Sequence, residues 1–157
     1  MHDAPLLFEL GDTIELGRKS IQILGHARYS YGRGFWDEFC GVSQKGTISW
    51  ISVDEGDVVE QVRISDAQMP KARPPFKPGE ALEFKSTTYT VTEVEKAECI
   101  ALSGQFDEEL QVGETYAFVN AAADGYRLLS GEFWGDGAIW YEGRWFDPFG
   151  VKVNRHA

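Results

Sequence analysis

Along most of this chain, apolar and polar residues change places at every second position, and that period admits strands rather than helices. Thr13-Ile14-Glu15-Leu16 and Ser20-Ile21-Gln22-Ile23 both alternate, with Gly17-Arg18-Lys19 between them as a turn. Runs at 35–42, 47–53 and 58–64 follow, separated by turn signals at Gln44-Lys45-Gly46 and Asp54-Glu55-Gly56. β-Branched and aromatic side chains fill these runs, and glycines interrupt any 3.6-residue repeat. Five short runs joined by turns predict a small antiparallel barrel or curled meander.

Residues 68–79 break the pattern. Four prolines there, Pro70, Pro74, Pro75 and Pro78, remove backbone donors and fix φ, which excludes a central strand or a helix. The segment reads as an extended connection. It carries Lys71, Arg73 and Lys77 and no acid, between two halves that are both net acidic. Beyond it the pattern restarts. Gly79-Glu80-Ala81-Leu82-Glu83-Phe84 aligns without a gap on Gly11-Asp12-Thr13-Ile14-Glu15-Leu16, and Tyr89 and Val91 then fall on Ile21 and Ile23. That self-similarity reads as an internal duplication. Further strands are expected at 98–104, 115–119, 126–133 and 138–145, with Gly135-Asp136-Gly137 as a hairpin turn and an exposed loop at 106–112. The expected fold is all-β: two related small antiparallel SH3-like barrel units, 6–67 and 80–149, joined by the Pro-rich basic linker 68–79. Gly34-Phe35-Trp36 matches the Gly-x-Trp of lipocalins, but the repeat and the lack of a long eight-strand run speak against that fold.

Composition narrows the function classes. A net charge of −10 and a pI near 4.7 argue against nucleic acid and anionic membranes, which need a positive surface. No apolar run approaches the roughly 20 residues of a membrane span, and the N-terminus lacks a signal-peptide pattern, so the expected location is cytoplasmic. Two cysteines, Cys40 and Cys99, and three histidines, His2, His26 and His156, show no zinc-ligand spacing, so neither a metal nor a cofactor is expected. No Gly-x-Ser-x-Gly elbow and no Gly-rich phosphate loop is present. Cys40 shares a strand face with Trp36 and Glu38, opposite Asp37 and Phe39, and reads as a small buried thiol. By the same alternation Asp37 and Glu38 point to opposite faces and form no acid–base dyad.

Aromatics are the strongest compositional feature: five tryptophans and six tyrosines in 157 residues. Much of this must be core. Tyr29-Ser30-Tyr31 lies beside Gly32-Arg33-Gly34 in what reads as a long hairpin loop. With Trp36, Asp37, Glu38 and Trp50 nearby, Tyr29 and Tyr31 could build an aromatic and acidic groove for a peptide or a cation, through cation–π attraction and carboxylate pairing.

Several stretches together resemble the bacterial domain-of-unknown-function family 4178. They are Leu10-Gly11-Asp12, Ile23-Leu24-Gly25-His26-Ala27-Arg28, Trp36-Asp37-Glu38-Phe39 and Gly46-Thr47-Ile48-Ser49-Trp50-Ile51 in the first unit. In the second they are Pro78-Gly79-Glu80, Tyr89-Thr90-Val91-Thr92, the stretch from Glu98-Cys99-Ile100 through Gly104-Gln105-Phe106, and Tyr141-Glu142-Gly143-Arg144-Trp145. The resemblance spans roughly residues 6–146. It implies no established activity and no catalytic residues. Family genes often lie near genes for polyamine synthesis and for membrane-stress or flotillin-like proteins. Some members carry an N-terminal zinc ribbon, whereas this sequence opens almost at the first β-unit. The resulting expectation is a non-enzymatic binding or adaptor module of a bacterial membrane-stress or polyamine-linked system. It would have a protein partner and could self-associate. One alternative is a protein that binds a small cation such as a polyamine. Another is a hydrolase or transferase on a β scaffold, with Glu38 or Asp107 as base.

Overall fold

A computed structural model of the chain describes residues 9–32, 34–54, 57–106, 111–147 and 151–154. Every regular element among them is a strand: β1 (Thr13–Leu16), β2 (Lys19–Ser30), β3 (Phe35–Ser43), β4 (Ile48–Asp54), β5 (Asp57–Arg63), β6 (Ala81–Phe84), β7 (Thr87–Gly104), β8 (Thr115–Ala123), β9 (Arg127–Trp134), β10 (Gly137–Phe146) and β11 (Lys152–Asn154). The all-β expectation is met. All pairings are antiparallel, in the order β11-β1-β2-β3-β4-β5-β10-β9-β8-β7-β6, and a further pairing of β2 with β7 closes the sheet.

Closure is what the sequence reading did not foresee. Eight strands, β2-β3-β4-β5-β10-β9-β8-β7, form one antiparallel barrel to which each half of the chain gives four. The halves meet at two seams, β5 on β10 and β2 on β7. Because the strand order reverses between β5 and β10, this is not a simple up-and-down barrel.

Each half also has a core of its own, outside the barrel. Ile14 and Leu16 of β1 fold with Ile21 and Ile23 of β2 onto Phe39, Ile51 and Val58 of the next three strands. In the second half Leu82, Phe84, Tyr89 and Val91 pack in the same way on Val119, Ala121, Leu129, Phe133 and Trp140. Segment 68–79 makes no strand pairing, yet it is not simply solvated. Phe76 is buried there against Phe133 and Trp140, at centroid distances of 5.6 and 6.2 Å.

The two halves agree bond by bond where the sequences align. Gly11 N–H donates to the Ile23 carbonyl (2.9 Å) and Gly79 N–H to that of Val91 (2.8 Å). Ile23 N–H donates to Asp12 O (2.9 Å) and Val91 N–H to Glu80 O (2.8 Å). The Asp12 carboxylate accepts from Glu9 N–H (2.8 Å), and the Glu80 carboxylate accepts from Lys77 N–H (3.3 Å). A register shift follows Ile23 in β2 and Val91 in β7, so each long strand bends at the same place.

Candidate ligand cavity in the barrel

Alternation along the barrel strands sorts side chains into an inner and an outer set. On β3, Trp36, Glu38 and Cys40 face inward. On β9, Leu128, Ser130, Glu132 and Trp134 share one face and do the same. One end of the interior is filled by rings and small residues. Tyr29, Cys99, Tyr116 and Phe118 form one buried cluster and Cys40, Trp50, Ile139 and Tyr141 another, with Phe106 and Trp134 packed against both. Ala27 of β2 and Ala97 of β7 are fully enclosed here, since rings from the facing strands take up the space.

The rest of the interior is a cavity of about 160 Å³. Among the described residues, its walls carry five carboxylates, Glu38, Asp57, Glu93, Glu95 and Glu132, and no lysine or arginine. Trp36, Phe118, Tyr141 and Trp145 supply aromatic surface, and Ser52, Gln61, Asn120 and Ser130 supply neutral polar groups. The acids are graded by depth. Glu38 and Glu132 are 8% and 5% exposed, whereas Asp57 and Glu93 reach solvent. The indole N–H of Trp36 donates to Glu38 Oε2 at 2.8 Å. Burial nevertheless pushes the Glu38 carboxyl up to about 7, because one neutral donor does not replace the water that an ionised carboxylate loses. Burial also raises the Cys99 thiol; a bond to the Ala101 carbonyl opposes this, and the charges of Glu38, Glu114 and Glu132 add to it.

The residues singled out in the sequence divide. Trp36 and Glu38 line the cavity. Tyr29 is not in a loop: it is a fully buried residue of β2 that stacks on Trp36 (5.4 Å between centroids) and meets Phe118 edge-on (5.3 Å). Small and polar neighbours, Gly25-His26-Ala27-Arg28, hid that strand. Tyr31 lies in the following turn, tilted against Trp36 (5.9 Å). Trp50 is buried in the filled end, stacked on Phe106 (5.8 Å). Asp37 faces outward, away from the cavity. It accepts from Arg28 Nε (2.9 Å) and Nη2 (3.3 Å) and lies 2.6 Å from His26 Nε2, whose ring stacks on Phe39. Arg33 and Asp107 fall outside the described residues.

Burial raises the Asp37 carboxyl, but the bonds and charges of His26 and Arg28 outweigh it and hold the group below its ordinary 3.8. A depressed carboxyl contributes stability that is present above the unfolded value and lost as pH falls through the folded one. Asp37→Asn is therefore expected to cost about 2 kcal/mol at pH 7. In urea titrations the deficit should shrink below about pH 3.8. A deficit that does not change between pH 7 and pH 3 would mean that charge plays no part.

The sequence reading missed Glu132, Gln61, Asn120, Ser130 and Trp145. The available signal was a carboxylate within an otherwise buried run, Leu128-Leu129-Ser130-Gly131-Glu132-Phe133.

A model of the family described as a domain of unknown function, DUF4178, matches residues 9–148. No curated protein and no solved structure matches the chain.

Proposed function

Since the chain belongs to this DUF4178 family, whose description leaves activity open, we propose from the cavity that it is a binding protein for a small organic cation of the alkylammonium or polyamine kind. One observation carries the reading: among the described residues, five carboxylates and four aromatic side chains line one cavity without a lysine or arginine. An ammonium group there gains carboxylate pairing and ring faces together. Among the described residues no three His, Cys, Asp or Glu side chains converge as a metal ion requires. The acids come instead from β3, β5, β7 and β9, an arrangement suited to an extended cation. The volume is close to that of an engineered cavity of roughly 150 Å³ that holds benzene, so the part of the ligand inside is small.

The test is a titration with 1,4-diaminobutane and spermidine, followed by tryptophan fluorescence, since Trp36 and Trp145 are in the wall. Saturable binding that weakens with added salt is expected, because the acids at the mouth are screened. Glu132→Gln should weaken it at least tenfold, on the order of the 1.5–3 kcal/mol of a charged hydrogen bond. Absence of binding at millimolar amine, or equal binding of a dicarboxylate, would overturn the reading.

The repeated halves fit the same account as a duplicated SH3-like unit. Its support is the matching bonds at residue pairs 68 apart and a five-strand core in each half. On that reading the cavity is the space the two units enclose. A protein partner, as an adaptor in a membrane-stress or polyamine-linked system would have, finds its support in the sheet's two end strands, β6 and β11.

A further inference from the structure

The cavity sets a buried carboxyl, Glu38, among other acids. Glu38 is nearly withdrawn from water, and among the described residues no cationic side chain lines the wall around it. Arg28, the nearest guanidinium along β2, faces outward and is engaged by Asp37. Glu38 has the Trp36 N–H as a donor, and that group carries no charge.

Other groups face Glu38 across the barrel. On its own strand these are Trp36 and Cys40, on β2 Ala27 and Tyr29, and on β4 Ser52. Among the described residues, the ionisable acids of the opposite wall are Asp57 from β5, Glu93 and Glu95 from β7, and Glu132 from β9. Cys99 of β7 and Tyr116 of β8, both raised by burial, keep their protons, and Tyr141 of β10 adds a phenol. Among the described residues, the charges that form across the barrel from Glu38 are negative, and each makes a second negative charge there less favourable.

Resting on the cation reading above, we propose that the barrel takes up its ligand in exchange for a proton: Glu38 is a neutral acid in the empty cavity and becomes a carboxylate when an ammonium group sits beside it. The O–H bond of the carboxyl breaks, the proton leaves to solvent through the open end, and the ammonium supplies a positive charge beside the new carboxylate. The upward-shifted Glu38 agrees with this geometry. Uptake and release then follow pH as well as ligand concentration. Ligand is retained at neutral and alkaline pH and given up on acidification.

The experiment is calorimetric titration of the full chain with 1,4-diaminobutane between about pH 5.5 and 8, in two buffers of different ionisation enthalpy. Alkylammonium groups titrate near 10 and stay charged throughout. Wild type should bind roughly tenfold more tightly per pH unit at the acid end and level off above about pH 7. Buffer-dependent heat should show release of close to one proton at the acid end. Glu95→Gln should keep that slope. Glu38→Gln should bind more weakly and lose it. Affinity constant from pH 5.5 to 8, with no buffer-dependent heat, overturns the exchange and leaves cation binding standing. A slope that persists in Glu38→Gln overturns Glu38 as its source. No binding by wild type at any pH overturns both readings.

Discussion

Glu38→Gln is expected to raise the melting temperature of the ligand-free protein at pH 8 by roughly 5–10 °C. Few substitutions of a buried charged residue stabilise, and the reason here is specific. The carboxyl titrates near 7 in the folded state against an ordinary 4.5, so the folded protein holds this proton after the unfolded chain has released it. Stability therefore falls as pH rises from about 4.5 to 7 and stays low above. The shift corresponds to about 3 kcal/mol at pH 8. Glutamine is neutral at every pH, and its carbonyl oxygen can still accept from Trp36 Nε1. The variant should match wild type near pH 4.5 and exceed it above pH 7, and its stability should be flat across that window. Thermal melts at half-unit pH steps decide the matter. A variant less stable than wild type at pH 8 would show that the ionised carboxylate is a structural partner. Stability gained as binding is lost is what a residue kept for its ligand should show.

Gly104→Ala should cost the fold at least 3 kcal/mol. Gly104 sits where β7 crosses β2 at the seam that closes the barrel, opposite Gly25. Its φ of +86° is left-handed, and a Cβ there would be driven into the Leu24 carbonyl oxygen and close to Gly25 Cα. Backbone on both sides gives neither room to move. Gly113 is the natural control, with a φ of +93° and nothing within 4 Å of an added Cβ. Gly113→Ala carries the backbone strain alone, about 1–2 kcal/mol. Urea unfolding of the two variants separates strain from crowding. Equal losses would mean that the close approach of β2 and β7 contributes nothing.

How much of this was legible follows from where alternation held. Both outer cores sit under strands that alternate cleanly, such as Ile14-Glu15-Leu16 and Leu82-Glu83-Phe84, and these strands were legible with their turns. The long arms that close the barrel were not. In β7, Glu93 and Glu95 turn toward the cavity while Val94 is 41% exposed, so the usual assignment of apolar residues to the inside is inverted. In β2, Gly25 and Ala27 are small because rings opposite them fill the space, and a small residue in a strand reads as a loop. A polar cavity thus erases the signal by which its own walls would be recognised. Trp36 and Glu38, chosen with Asp37 for their nearness to Tyr29 and Tyr31, share a strand face at i and i+2 and line the cavity, while Asp37 between them faces outward. Glu132 and Gln61 come from strands far away in sequence, and only closure brings them alongside.

The central claim is that the barrel interior is a cation site. Its most direct test is a crystal structure grown at pH 8 with 1,4-diaminobutane and compared with one grown without it. The account predicts ligand density along Trp36 and Tyr141, with one ammonium nitrogen within hydrogen-bond distance of Glu38 or Glu132, at roughly 3 Å. Amine bound only on the outer surface, with the same water structure inside the barrel in both crystals, would contradict it.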